Sequence, residues 1–222
     1  MKHFLTFLLC LFIVTNISSQ TILQPDTCID MKFYQAFCQK RGDSLQVSYC
    51  VYKLFKPVSK VSRAGMTWHE TTKHFNYQNS AYDKGHLVPA HDMSFWKEAM
   101  NSAFVWWNCV PQTHKLNAGT WKAEEESWFR YTQQDSIKII VGACNFEQGV
   151  PNYCFKIVKS LSKNKIISTT IYLQNGSKIK PPKNFLNQFK IEHFWAIFAP
   201  KKNTKITFYN SLIINQLGPI WF

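Results

Sequence analysis

After residue 20 the chain has no apolar run of membrane-spanning length, no Cys-x-x-Cys pair, no internal repeat and no Gly/Ser linker. Each absence removes a class of protein. Without a spanning run, no stable membrane insertion is expected. Without paired cysteines, a structural zinc site is not expected. With no repeat, linker or break in composition, residues 21–222 are expected to form a single domain, long enough to bury a sizeable core. Acidic residues are also scarce, 13 Asp and Glu against 26 Lys and Arg, so the formal charge is +13 at pH 7. Such a surplus attracts nucleic acid, anionic membrane or acidic glycan without choosing among them.

The first 20 residues read as a signal peptide. Lys2 and His3 precede an apolar run from Phe4 to Val14, and a small, polar stretch from Asn16 to Gln20 could be cleaved. This is the layout of a secretory leader, so the protein is expected to be secreted or periplasmic. Cleavage would leave about +12 of charge and remove Cys10 from the seven cysteines. Six cysteines in an exported chain imply up to three disulfide bonds. Cys144 with Cys154 is the favoured pair, because the two flank a loop between strand-like runs.

Hydrophobic patterning gives the elements. Leu45–Leu54 carries a strand-like mixture of Val, Tyr and Cys, and residues 56–79 read as a long loop. Ala103–Val110 is a continuous apolar run consistent with a buried strand, broken by Pro111-Gln112. From Asn117 to about Gln133, Trp121, Trp128 and Phe129 recur at helical spacing, with glutamates in the first turns, where the helix dipole favours them. Ile137–Ala143, Tyr153–Leu161 and Lys165–Leu173 read as three successive strands. Beyond Pro181-Pro182, a helix is expected near Asn184–Lys190 and a strand near Ile206–Tyr209. The order implies an α+β fold with a mixed, mainly antiparallel sheet.

The residues able to do chemistry lie between Tyr82 and Glu125. A phosphodiester is hydrolysed when an activated water attacks in line and the leaving oxygen is stabilised. Histidine suits the first task, since it titrates near neutrality, and His86 follows Asp83-Lys84-Gly85. A divalent ion suits the second. Magnesium prefers oxygen ligands and keeps several waters, so one amide oxygen could hold it. On a straight helix Asn117 and Glu125 are separated by a rise of roughly 12 Å. Asn117 is then the better direct ligand, with the carboxylate orienting a metal-bound water.

Tyr82-Asp83-Lys84-Gly85-His86-Leu87-Val88-Pro89-Ala90-His91-Asp92-Met93 resembles the signature of the DNA/RNA non-specific endonuclease family, with its ββα-metal active site. Trp107-Asn108-Cys109-Val110-Pro111-Gln112, then Asn117-Ala118-Gly119-Thr120-Trp121 and Glu125, match the family's next blocks in order and spacing. Val150-Pro151-Asn152-Tyr153 resembles the strand that follows. The resemblance runs from about Val47 to Leu161. It implies His86 as general base, Asn117 as magnesium ligand, Glu125 as a carboxylate at the metal and Asn108 as a hydrogen-bonding support. Manganese would be a possible substitute for magnesium. It implies an endonuclease that cuts DNA and RNA with little sequence preference, leaving 5′-phosphate ends.

The chain departs from the family in places. Lys84 stands where the family has arginine, whose rigid fork grips phosphate as an ammonium cannot; lysine still supplies the charge for a phosphate contact and for catalysis. Arg63 is the upstream candidate for a second phosphate contact. Two rival readings follow: a weak or inactive nucleic-acid-binding relative, and a secreted basic protein that binds membranes or acidic glycans.

Overall fold

The computed structural model describes residues 24–56, 60–69, 75–189 and 206–208. Residues 1–20, where a signal peptide is expected, lie outside them. The elements, in chain order, are β1 (Thr27–Asp30), β2 (Tyr34–Arg41), β3 (Ser44–Leu54), β4 (Tyr82–His86), α1 (Lys97–Ser102), β5 (Cys109–Thr113), α2 (Lys122–Tyr131), β6 (Ile137–Glu147), β7 (Val150–Ser160), β8 (Lys165–Leu173), β9 (Lys178–Ile179) and β10 (Ile206–Phe208). Eight strands form one sheet in the order β10-β1-β2-β3-β6-β7-β8-β9. Every pairing in it is antiparallel except β1 with β10. β4 and β5 form a separate antiparallel pair. The mixed, mainly antiparallel α+β architecture is the one the sequence implies.

Successive side chains alternate across a strand, and the central strands bury both faces. Cys50, Tyr52, Ile139, Val141, Cys154 and Val158 pack on one face, against Leu87, Val88, Met93, Trp107, Val110, Trp121 and Phe129. That face therefore seats the β4–β5 pair and α2. Tyr49, Val51, Ile140, Phe155 and Ile157 occupy the other face, covered by Phe185 and Phe189. A sheet buried on both sides explains why β6 and β7 read as near-continuous apolar runs.

Several boundaries differ from expectation. Ala103–Val110 is not one strand. Trp106–Asn108 forms a 3₁₀ turn, and Pro111-Gln112 falls inside β5. Proline is tolerated there because β5 has a partner on one side only. The expected long helix is broken: Lys115–Trp121 forms a π-helical turn with a non-helical kink at Gly119, and α2 begins at Lys122. The helix expected near Asn184 shrinks to a 3₁₀ turn, Phe185–Gln188. Lys190 and Tyr209 lie outside the described residues.

The disulfide expectation is overturned. Cys28, Cys38, Cys50, Cys109, Cys144 and Cys154 are all buried free thiols. Cys144 sits opposite Tyr153 while Cys154 sits opposite Ala143. This one-residue offset sends the two thiols to opposite faces of the sheet, into separate apolar clusters, so no bridge can join them without moving strands. Burial raises every one of these thiols, Cys28 to about 11 and Cys109 and Cys154 to about 12, which makes them inert while folded. A chain lacking residues 1–20 should release six thiols to a colorimetric thiol reagent in denaturant and almost none when folded. A deficit of two or more in denaturant would mean that a bridge does form.

Candidate active site

Strand alternation decides what β4 presents. Lys84 and His86 share one face and Asp83 and Gly85 the other. A Cβ at Gly85 would overlap the buried Gln112 side chain across the pair, so glycine is required for β4 to lie so close to β5. On the other face, Lys84 and His86 line a cleft of about 450 Å³ with Arg63, His91, Asn117, Lys122, Glu125 and Glu126. Residues far apart in sequence are thus assembled from five places: the loop at 60–69, the end of β4, the turn at 89–91, the π-helical turn and the start of α2. Of the candidates read from sequence, only Asn108 lies outside the cleft.

The His86 ring packs between Trp68, 4.8 Å away and tilted by 36°, and the edge of Phe104 at 5.0 Å. Nε2 is closed off from solvent with no hydrogen-bond partner among the described residues. Burial first, then the positive charge of Arg63, pushes the His86 pKa down to about 3. The imidazole is therefore uncharged at neutral pH, the form in which it can accept a proton.

Asn117 is oriented through its nitrogen. Nδ2 donates to Asp83 Oδ2 at 3.0 Å, and the same carboxylate oxygen lies 2.9 Å from His114 Nδ1. Tying down the NH₂ group turns the amide oxygen away from the carboxylate and leaves it for a cation. The kink at Gly119 also removes the straight-helix spacing expected between Asn117 and Glu125, and both line the same cleft. π-helical turns of this sort recur at functional sites.

Glu125 is largely enclosed. Its Oε1 lies 3.6 Å from the ammonium of Lys156, a lysine only 1% exposed. Burial pushes the Glu125 pKa up to about 7; Lys156 opposes the rise, and Asp92 and Glu124 reinforce it. Glu124, the nearest alternative in sequence, is engaged elsewhere, accepting hydrogen bonds from Trp128 Nε1 at 3.2 Å and Thr170 Oγ1 at 2.8 Å.

Lys84 is exposed, with its ammonium 5.4 Å from the Trp106 ring and 5.9 Å from that of Trp68. The Arg63 guanidinium lies 5.1 Å from the Phe104 ring. With Lys122 they give the cleft three cations able to meet phosphate.

Asn108 is fully buried behind this wall. Its Oδ1 accepts the Val88 N–H at 2.8 Å, and its Nδ2 donates to the carbonyls of Val88 and Ala103 at 2.9 Å each. It fixes the backbone just beyond His86 and touches nothing in the cleft.

No group of three or more His, Cys, Asp or Glu side chains that could cage a metal occurs among the described residues. The donors that do face the cleft, one oriented amide oxygen and one carboxylate, fit a hard cation that retains most of its waters. They do not fit a tetrahedral nitrogen–sulfur site.

Sequence reasoning missed Lys122, Glu126, Asp92 and Lys156. Lys156 had a signal, since a lysine inside the apolar run Phe155-Lys156-Ile157-Val158 of a two-face-buried strand needs a buried partner. Asp92 had none, because motif context alone does not reveal burial.

The chain is similar to known proteins in sequence and in fold. A family model described as DNA/RNA non-specific endonuclease matches residues 41–209. The chain is 40% identical over 70 residues to the mitochondrial nuclease 1 of Schizosaccharomyces pombe, a match covering 30% of this chain and 21% of that protein. It is 42% identical over 50 residues to the mitochondrial nuclease EXOG of Xenopus laevis, covering 22% of this chain and 14% of that one. The matched segments thus span about a fifth or less of those relatives. The crystal structure of an EndoG/EndoGI complex superposes with a TM-score of 0.57 at 16% identity, covering 70% of this chain and 76% of the other, and supports the fold.

Proposed function

Since the chain belongs to the DNA/RNA non-specific endonuclease family, we propose that it is an exported, divalent-cation-dependent endonuclease cutting DNA and RNA with little sequence preference. One observation carries the reading. Arg63, Lys84, His86, Asn117 and Glu125, drawn from separate elements, line one cleft.

In this mechanism the uncharged His86 takes a proton from an attacking water. Lys84 and Arg63 hold the phosphate in line with that water. Asn117 would hold magnesium, or manganese in its place, through the amide oxygen that Asp83 leaves accessible, with Glu125, which lines the same cleft, as the supporting carboxylate. A cation bound there would stabilise the charge that develops on the phosphoryl and leaving oxygens. Asn108 works behind the site by fixing the strand end. Phosphate and sugar contacts carry no sequence information, which accounts for a broad substrate range. Export rests on the layout of residues 1–20, and among the described residues no helix is long and apolar enough to cross a membrane.

The test is to incubate the mature protein with supercoiled plasmid and with RNA, in magnesium and in EDTA, beside Asn117→Ala. Magnesium-dependent cutting of both substrates is expected, with Asn117→Ala needing more cation for half-maximal rate and slowed by at least the roughly 10–100-fold that loss of a partner merely orienting a ligand costs. Cutting that persists in EDTA would overturn the cation requirement. Binding without cutting by a folded wild-type protein would favour the inactive relative, a reading to which Lys84 in place of arginine lends weight.

A further inference from the structure

Beneath the cleft lies a charged group that the mechanism above does not use. Lys156, in the middle of β7, projects into the protein with 1% of its side chain exposed. Its ammonium sits 3.6 Å from Glu125 Oε1 and 4.2 Å from the Trp121 ring centroid. Neither it nor Glu125 Oε1 makes a hydrogen bond among the described residues. Behind it is Asp92, buried, with Oδ2 accepting from the Tyr52 hydroxyl at 2.7 Å and Oδ1 4.0 Å from His91 Nδ1, without a hydrogen bond among the described residues. Glu124 is held aside by Trp128 and Thr170.

A buried lysine is costly unless its charge is answered, and here two enclosed carboxylates answer one ammonium. For stability alone, an apolar side chain would fill the space between Trp121 and β7 at least as well. What the ammonium adds is direction. It holds Oε1 of Glu125 on the inner side, toward β7, and leaves the rest of the carboxylate to the cleft that the residue lines. Trp121 is fixed in turn, since its Nε1 donates to the His86 carbonyl at 3.4 Å. Lys156, Trp121 and His86 therefore form a continuous path from the sheet to both sides of the site.

We propose that Lys156 is a positioning residue that sets the Glu125 carboxylate for cation binding and for cutting, acting through Glu125 and not on the substrate. The proposal rests on the reading of Glu125 given above, and the experiment separates the two. Mn²⁺ binding is measured directly, by calorimetry or by the loss of the free-ion paramagnetic resonance signal. Cutting rates and KM for nucleic acid are measured alongside. The proteins are wild type, Lys156→Met, Lys156→Arg, Glu125→Gln and the double variant Lys156→Met/Glu125→Gln.

Losing a partner that orients a ligand costs about 10–100-fold in metal affinity or activity. Lys156→Met should therefore lose roughly that much in both Mn²⁺ affinity and kcat, with KM for nucleic acid unchanged. Lys156→Arg, which keeps the charge, should recover most of the loss. The double variant should be no worse than Glu125→Gln, because both changes break the same contact. The double variant removes both charges and keeps the question open should Lys156→Met alone fail to fold. Lys156→Met within threefold of wild type in both readouts would overturn the proposal, and so would additive losses in the double variant. Wild-type Mn²⁺ binding and cutting by Glu125→Gln would instead overturn the reading of Glu125 itself.

Discussion

Replacing His86 by alanine should slow cutting by about two to four orders of magnitude, the usual worth of a positioned general base, while nucleic-acid binding persists. The persistence follows from the layout. The cations of the cleft, Arg63, Lys84 and Lys122, are separate from the imidazole and keep their places without it. Affinity should still fall steeply with salt, as phosphate contacts require. Plasmid nicking beside a filter-binding or anisotropy titration checks both halves. A variant that cuts at a tenth of the wild-type rate or better would remove His86 from the role of base.

The environment of His86 adds a pH signature. Its pKa lies near 3 in the folded protein against about 6.5 for an unperturbed histidine. The sign follows from which state binds the proton. Above 6.5 neither state binds it, so His86 leaves stability indifferent to pH. Between 6.5 and 3 the unfolded chain takes up a proton that the folded one refuses, so stability falls as pH drops through this window. Removing His86 should therefore flatten the acid side of a Tm-against-pH curve. Cutting by the wild type should likewise show no histidine limb near pH 6.5.

Much of the site was legible in the sequence because it is local. Asp83 to His86 and Asn117 to Glu125 are short blocks whose order and spacing survive any uncertainty about the fold between them. Strands β6 to β8 were legible for a similar reason, since each is a local stretch dominated by apolar and β-branched residues. What depends on packing was not legible. Glycine weakens a helix at Gly119, but sequence alone does not say that the chain kinks there, between Asn117 and α2. Free thiols cannot be told from bridged ones by spacing; only the register that puts Cys144 and Cys154 on opposite faces decides it. Pro111 looked like a strand breaker because sequence does not reveal that β5 has a single partner. Lys156 and Asp92 are the same case in electrostatic form, for their importance comes from being enclosed together beneath Glu125.

Asn108 separates support from chemistry, and its loss should be felt in both. Asn108→Ala deletes one acceptor and two donors from a site with no exposure to water. The Val88 N–H then has no acceptor, and the carbonyls of Val88 and Ala103 each lose a donor. Each buried group left unpaired costs about 1–3 kcal/mol, and the three share one pocket, so the losses will not simply add. A total of roughly 3–5 kcal/mol is expected from these magnitudes, visible as a lower midpoint in urea. Asn108→Asp should do no better, because it would set a carboxylate oxygen against two carbonyls. Activity should fall as well, although Asn108 meets no substrate, since the strand end it fixes begins two residues after His86. The two variants should thus diverge: His86→Ala loses mainly rate, with its urea midpoint moved only by the packing lost between Trp68 and Phe104, and Asn108→Ala loses both. An Asn108→Ala protein within about 1 kcal/mol of wild type, the scale of a single net hydrogen bond, would show that water or a backbone shift replaces the amide. The strand end would then need another explanation for holding His86 in place.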